Sequence, residues 1–138
     1  MPAIDKCINL DDLRVLAKKR VPKLIYDFIE GGADDEGGLV RNRTAFEERA
    51  LVPRYMVDVS KLDQSTELFG RTFSSAWGIA PTGGVGNYRR GGDMMLCRAA
   101  RDANIPFIMS GASNASMEEM AAVAPDHGWY QLYTARDR

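Results

Sequence analysis

The side chains best suited to chemistry stand at or near the ends of three short apolar runs of the chain. Some of them are small or leave the backbone open, and the others carry a hydroxyl or an amide that can bind a polar ligand. These residues are Pro81, Thr82, Gly83, Ser110, Gln131 and Tyr133. Glycine lets a flat ligand lie against the backbone, and a hydroxyl or amide can bond the ligand's polar edge. A phenol can donate to a substrate carboxylate or to a developing oxyanion. These residue types indicate a pocket for a planar polar ligand.

Each candidate also has a purely structural interpretation. The glycine-rich stretch 81–86 matches neither a dinucleotide-binding motif nor a Walker motif, and it serves equally well as a flexible strand-to-helix loop. Ser110 can be an ordinary turn residue. Gln131 can bond a neighbouring strand instead of a heterocycle, and Tyr133 can be a core residue whose hydroxyl bonds the backbone. On the residues alone these alternatives stay open.

The elements that must position these residues follow from the spacing of the apolar runs. The runs are residues 77–80, 106–109 and 129–133, with helix-like sequence between them. This is the pattern of successive β/α units that place parallel strands side by side. Functional residues collect at the carboxyl ends of such strands, where the candidates lie. We therefore predict an α/β fold with its chemistry at one edge of a parallel sheet.

Local signals predict where helices and turns begin. Asn9 can cap one helix and Pro22 suits the first turn of a second. A third helix is predicted over residues 35–49, with apolar residues such as Leu39 and Phe46 facing inward. These signals predict that the residues before about position 50 form a helical segment without strands.

The rest of the chain carries its own turn and cap signals. Gly70 can supply the turn of a hairpin, and a helix is predicted near residues 92–103. Ser116 and Glu119 have the spacing of a capping box, which fixes the start of a further helix. Asp137 is placed to cap a helix after the third strand.

Composition excludes several classes of protein. The 138 residues are 45% hydrophobic and 27% charged, which is typical of a globular domain, and the net charge of -1 offers no basic surface for nucleic acid. Cys7 and Cys97 are too few for a disulfide framework or a metal cluster, and Cys97 is predicted to be a buried helical thiol. His127, the single histidine, is predicted to be a solvated loop residue. We expect a cytoplasmic protein without a bound metal.

Taken together, these residues resemble the N-terminal part of the FMN-dependent 2-hydroxy-acid oxidases and dehydrogenases, the family of glycolate oxidase and mandelate dehydrogenase. The matching stretches are collinear over nearly the whole chain, and they are residues 22–27, 31–36, 42–46, 79–82, 99–100, 110–116 and 131–133. The pattern Ser-x-Ala-Ser-Asn-x-Ser over 110–116 is most similar to the mandelate dehydrogenase branch.

The resemblance implies the N-terminal part of a TIM (β/α)8 barrel, with about three β/α units after a helical extension. The chain is then divided into a helical extension over 1–50, a connector with a hairpin over 51–76, and the first three barrel strands over 77–138. The complete enzyme is expected to be a homo-oligomer.

The resemblance also implies roles for residues at matching positions. The residues implied to bind FMN are Pro81, Thr82, Gly83, Ser110 and Gln131. Tyr133 is the implied catalytic and substrate-binding residue, which orients the substrate or stabilises developing charge. Phe28 stands where the family usually has a second substrate-binding tyrosine, and phenylalanine cannot donate to a carboxylate.

The implied activity is oxidation of a small 2-hydroxy acid, such as mandelate, glycolate or lactate, to the 2-keto acid. The electron acceptor (oxygen, a quinone or a cytochrome) is not determined by the sequence. The family's catalytic histidine and its FMN-phosphate site belong to later strands, so the chain alone is expected to be inactive. Two other interpretations are open: a truncated barrel that acts only as a structural or assembly piece, and a flavin-free TIM-barrel enzyme.

Overall fold

The structure is a computed structural model that describes residues 3–134 and separates into two compact units after Asp58. In the first unit a short 3-10 helix precedes three α-helices: Ala3–Lys6, then α1 (Leu10–Arg20), α2 (Lys23–Glu30) and α3 (Gly37–Glu47). In the second unit the elements are β1 (Thr66–Leu68), β2 (Arg71–Phe73), α4 (Val85–Tyr88), α5 (Gly92–Asp102), β3 (Phe107–Met109), α6 (Met117–Val123) and β4 (Gly128–Tyr130). No helix among the described residues is long and apolar enough to cross a membrane. Asp137, predicted to cap a later helix, lies outside the described residues.

In the first unit α1 begins where its cap predicts, α2 begins at Lys23 directly after Pro22, and α3 begins at Gly37, two residues later than predicted. The Asn9 side chain accepts a hydrogen bond from the Asp12 backbone N–H at 2.8 Å, which fixes the start of α1. The prediction that α3 turns its apolar residues inward is wrong, because Leu39 is 38% exposed and Phe46 is 83% exposed. No residue of α1, α2 or α3 is buried. Three short helices enclose no volume of their own, so their apolar stripes stay on the surface of this unit.

The hairpin predicted around Gly70 is confirmed. β1 and β2 pair antiparallel, with Thr66 opposite Phe73. The two turn residues both have positive φ, 52° at Phe69 and 76° at Gly70. A two-residue turn of this kind matches the twist of the flanking strands, and glycine adopts it without steric cost.

The first predicted strand, residues 77–80, is reduced to a single parallel bridge between Ile79 and Phe107. The Ile79 N–H donates to the Pro106 carbonyl at 2.9 Å, and the Ile79 carbonyl accepts from Ile108 at 3.0 Å. The next donor on this side would be the N–H of residue 81, which is a proline. Because proline has no N–H, the ladder ends after one residue.

β3 and β4 form the parallel sheet that positions the candidate residues. Phe107 pairs with Gly128 and Met109 with Tyr130, and β3 also carries the bridge to Ile79. β4 ends at Tyr130, earlier than the predicted residue 133. One more ladder bond follows, from the Gln131 N–H to the Met109 carbonyl at 2.9 Å. Beyond it, β3 has already ended and offers no further partner.

Two helices cover this sheet and close a small core. Cys97 and Ala100 of α5 are fully buried and belong to one cluster with Phe107 and Met109 of β3. Their small side chains let the helix approach the strand closely. The predicted burial of Cys97 is therefore confirmed, and burial raises the pKa of its thiol. The capping box of α6 is also present, with Ser116 and Glu119 exchanging bonds of 2.7 and 3.1 Å.

His127 is buried, so the prediction of a solvated loop residue is wrong. Its exposed fraction is 8%, and its Nε2 lies 3.1 Å from Arg71 Nη2 and 3.2 Å from Asn104 Oδ1. The ring also meets Phe73 edge-on, with centroids 6.1 Å apart. Desolvation, reinforced by the Arg71 charge, holds the pKa of His127 below its usual value. The hairpin strand β2 covers this residue.

A pH dependence of stability follows from this burial. The unfolded chain takes up a proton at His127 near pH 6.5, whereas the folded chain resists it. The contribution of neutral His127 to the free energy of unfolding is therefore fully present above about pH 6.5. It is lost as the pH falls toward the lowered pKa of the folded state. His127→Gln should reduce the loss of unfolding free energy between pH 7.5 and pH 5, measured by urea denaturation. Equal pH slopes for the two proteins would contradict this assignment.

Candidate functional site

The site is built around Ser110, the residue that directly follows β3. Its exposed fraction is 4%, so its hydroxyl must be satisfied within the protein. The Oγ accepts from the Ala112 N–H at 3.1 Å, which turns the chain sharply after the strand. The same hydroxyl donates to Gln131 Oε1 at 3.2 Å. Ser110 thus links the carboxyl ends of β3 and β4.

Gln131 is held in one orientation by two donors on the β3 side. Its Oε1 accepts from the Ser110 hydroxyl and, at 3.4 Å, from the Gly111 N–H. A neighbouring strand end therefore satisfies the oxygen, as one interpretation of the sequence proposed. Within the described part of the chain no acceptor is bonded to Nε2. The two Nε2 hydrogens are available to a ligand that presents a carbonyl or ring-nitrogen acceptor.

The glycine-rich loop of the first β/α unit reaches the same place. A Cβ on Gly83 would lie 3.1 Å from the Ala112 Cβ and 3.5 Å from Ser110 Oγ. The Gly84 N–H donates to the Ala112 carbonyl at 3.0 Å. Pro81 and Thr82 directly precede these glycines and are exposed. The absence of a side chain at Gly83 is what lets this backbone lie close to the buried serine.

Tyr133 lies beside the Ser110–Gln131 pair but is not part of a core. Its exposed fraction is 67%, so the interpretation as a core tyrosine is wrong. Its ring passes close to Gly111, where an added Cβ would lie 2.8 Å from Tyr133 Cδ2. No hydrogen bond to its hydroxyl is found among residues 3–134, which leaves the phenol able to donate to a substrate.

Phe28 belongs to α2 in the first unit and is 77% exposed. Its implied role in substrate binding stays a prediction. The second unit therefore brings together the candidates from three strand ends, and these are Gly83, Ser110, Gln131 and Tyr133. They supply donors, acceptors and open backbone, but none of them is a base at neutral pH.

Two residues that hold the site together were missed from the sequence, Ala112 and Asn114. Ala112 accepts from Gly84 through its carbonyl, and Asn114 accepts from the Gly86 N–H through its side chain at 3.0 Å. A backbone carbonyl carries no sequence signal. Asn114 does carry one, since an asparagine after a strand end is a common partner for loop backbone.

Comparison with known proteins assigns this arrangement to a family. The model of the family described as "FMN-dependent dehydrogenase" matches residues 17–138. The chain belongs to this family. FMN is the family's cofactor, and the resemblance noted in the sequence is confirmed.

Members of the FMN-dependent dehydrogenase family with known activities share much of this sequence. The chain is 43% identical over 125 residues to (S)-mandelate dehydrogenase from Pseudomonas putida, covering 91% of the chain and 32% of that relative. It is 40% identical over 131 residues to a peroxisomal (S)-2-hydroxy-acid oxidase from Oryza sativa subsp. indica, covering 95% of the chain and 36% of the relative. The chain thus spans about a third of the length of these relatives.

Solved structures of the family confirm the predicted fold class. A soluble mutant of the membrane-associated (S)-mandelate dehydrogenase from Pseudomonas putida matches with a TM-score of 0.85 at 43% identity, over 93% of this chain and 37% of that one. Mandelate oxidase matches with a TM-score of 0.86 at 36% identity, over 96% of this chain and 38% of that one. These neighbours are TIM barrels, and the described residues here form an α/β portion without a closed barrel.

The site residues fit the polar edge of a flavin. The isoalloxazine ring of FMN alternates carbonyl oxygens and ring nitrogens along one edge, and the unbonded Nε2 of Gln131 is a donor suited to those acceptors. The ring is flat, and Gly83 presents backbone without a side chain beside Ser110. The chemistry of the donors and the open backbone are thus both compatible with FMN.

Proposed function

We propose that this chain forms one side of the FMN site of an enzyme that oxidises a small 2-hydroxy acid to the 2-keto acid. The observation that carries the proposal is the Ser110–Gln131 pair, fixed at 3.2 Å at the ends of two parallel strands with the Gln131 donors left open. FMN, when bound, accepts the electrons removed from the substrate. The residues of this chain bind the flavin ring and orient the substrate.

Each residue has a distinct part in this proposal. Gln131 donates from Nε2 to the heterocycle, while Ser110 holds its amide in that orientation. The backbone at Gly83 and at the preceding Pro81 and Thr82 lies against the ring. The Tyr133 hydroxyl donates to the substrate carboxylate or stabilises charge that develops next to it.

The substrate proposed first is a mandelate-like 2-hydroxy acid, because (S)-mandelate dehydrogenase is the relative with 43% identity. Glycolate and lactate are the smaller alternatives in the same class. The electron acceptor is left undetermined among oxygen, a quinone and a cytochrome. The homo-oligomeric state and the cytoplasmic location stay predictions. One compared protein is membrane-associated and another is peroxisomal, so location differs among the compared proteins.

A hybrid protein tests the proposal. Residues 17–134 of this chain would replace the matching segment of Pseudomonas putida (S)-mandelate dehydrogenase, to which the chain is 43% identical. We expect the purified hybrid to retain FMN, seen as flavin absorbance, and to oxidise (S)-mandelate. The 138-residue chain alone should show no turnover, because the gathered residues include no base. A folded hybrid that retains no flavin would refute the proposal.

A catalytically silent assembly role is the second candidate. It is favoured by the exposed apolar side chains around the sheet, with Trp77 77% exposed and Leu132 74% exposed. The same hybrid decides between the two, since a chain that serves only assembly has no need to restore a flavin site. The flavin-free interpretation is set aside, because the chain belongs to a family that uses FMN.

A further inference from the structure

The two loops at the carboxyl edge of the sheet are joined by one backbone hydrogen bond and by one side chain. The first loop covers residues 81–88 and the second covers residues 110–116. Gly84 bonds the Ala112 carbonyl through backbone alone, at 3.0 Å. The Asn114 side chain supplies the second bond, its Oδ1 accepting from the Gly86 N–H at 3.0 Å. Among the described residues, this is the one side-chain hydrogen bond between the two loops.

The contact between Asn114 and Gly86 is so close that any larger residue at position 86 would force the Asn114 side chain to move. A Cβ there would lie 2.7 Å from Asn114 Oδ1, 2.8 Å from its Cγ and 2.9 Å from its Cβ. The asparagine side chain therefore occupies the space that a side chain at position 86 would need. Such a fit fixes the position of the loop as well as satisfying its N–H.

The position of Gly86 is coupled to that of Gly83, which faces the proposed flavin. α4, Val85–Tyr88, is a single helical turn that begins directly after Gly84. The Tyr88 hydroxyl at its end donates back to the Gly83 carbonyl at 3.4 Å. Holding Gly86 therefore also holds Gly83, whose backbone packs against Ala112 and Ser110.

We propose that Asn114 is a positioning residue, which clamps the 81–88 loop so that Gly83 keeps the spacing from Ser110 that the flavin ring needs. The proposal rests on the proposed function, because it assumes that FMN lies at this edge. Asn114 acts through Gly86 and Gly83 and is not required to touch the cofactor.

Three variants separate the clamp from general stability. Asn114→Leu keeps a side chain of similar size but removes the acceptor, whereas Asn114→Asp keeps an acceptor for the Gly86 N–H. Ser113→Ala is the matched control: it removes a bond of 3.1 Å to the Ala115 N–H that stays within the second loop. Hydrogen–deuterium exchange of the peptide that contains Gly86 would be measured in the full chain and in the hybrid. The dissociation constant for FMN would be measured in the hybrid.

We expect Asn114→Leu to speed exchange at Gly86 and to raise the FMN dissociation constant about fivefold, the effect of losing one hydrogen bond. Asn114→Asp and Ser113→Ala should leave both measurements near those of the unsubstituted protein. Unchanged exchange in Asn114→Leu would show that the Asn114 side chain does not hold the 81–88 loop in place. Faster exchange with unchanged FMN affinity would overturn its positioning role, and a folded unsubstituted hybrid without flavin would refute the proposed function itself.

Discussion

Gln131→Leu should lower the affinity of the hybrid for FMN about a hundredfold, because an acceptor on the bound flavin loses its donor and is left unsatisfied in the site. Leucine cannot donate to the heterocycle. The substitution also removes the acceptor for the Ser110 hydroxyl, and Ser110 is only 4% exposed. An unsatisfied buried donor costs about 1–3 kcal/mol. The FMN dissociation constant, measured by fluorescence titration, reports the lost donor, and the melting temperature reports the unsatisfied Ser110 hydroxyl.

Gln131→Glu separates these two effects. A carboxylate keeps an oxygen for the Ser110 hydroxyl and the Gly111 N–H, but it has no N–H to donate. The melting temperature should therefore stay close to that of the unsubstituted hybrid, while FMN affinity falls. Wild-type FMN affinity in either variant would show that Gln131 does not bind the cofactor.

Gly111→Ala is expected to destabilise the second unit by about 1–3 kcal/mol and to weaken FMN binding with it. An added Cβ would lie 2.9 Å from the Gln131 carbonyl oxygen and 2.8 Å from the Tyr133 ring. The carbonyl is backbone and cannot rotate away, so the ends of β3 and β4 must separate. Gly111 has no positive φ, and the effect is therefore steric.

Gly38→Ala provides the matched control for that substitution. Gly38 lies in α3, and nothing is within 4 Å of the position of its added Cβ. Alanine should stabilise the helix by about 0.5–1 kcal/mol. Urea denaturation of both variants measures the contrast. Equal stability of Gly111→Ala and the unsubstituted protein would show that the two strand ends are not packed as described.

Signals that depend on near neighbours predicted their elements correctly. The Asn9 cap, the Ser116 capping box and the Gly70 turn each involve residues at most a few positions apart. Residue type and short spacing are sufficient for such features. The predicted extent of the first strand, residues 77–80, was wrong, because the structure pairs only Ile79 there, and Pro81 has no N–H to extend the ladder beyond it.

Burial could not be predicted in the same way. His127 stands in a polar turn of the sequence, yet Arg71 and Phe73 of the hairpin cover it from more than fifty positions away. Leu39 and Phe46 have the spacing of a buried stripe, yet they remain exposed within their unit. Burial depends on which distant elements pack together, and helix periodicity does not report that.

The sequence by itself determined that Ser110 and Gln131 stand at or near the carboxyl ends of parallel strands and that the chain resembles a flavin-dependent family, which the comparison confirms. Only the tertiary structure decided which end of the Gln131 amide is open. Its oxygen is held by Ser110 and Gly111, about twenty residues earlier in the chain, so that Nε2 is left to donate. An amide has two chemically opposite ends, and the choice between them is made by partners that only folding brings within hydrogen-bond distance.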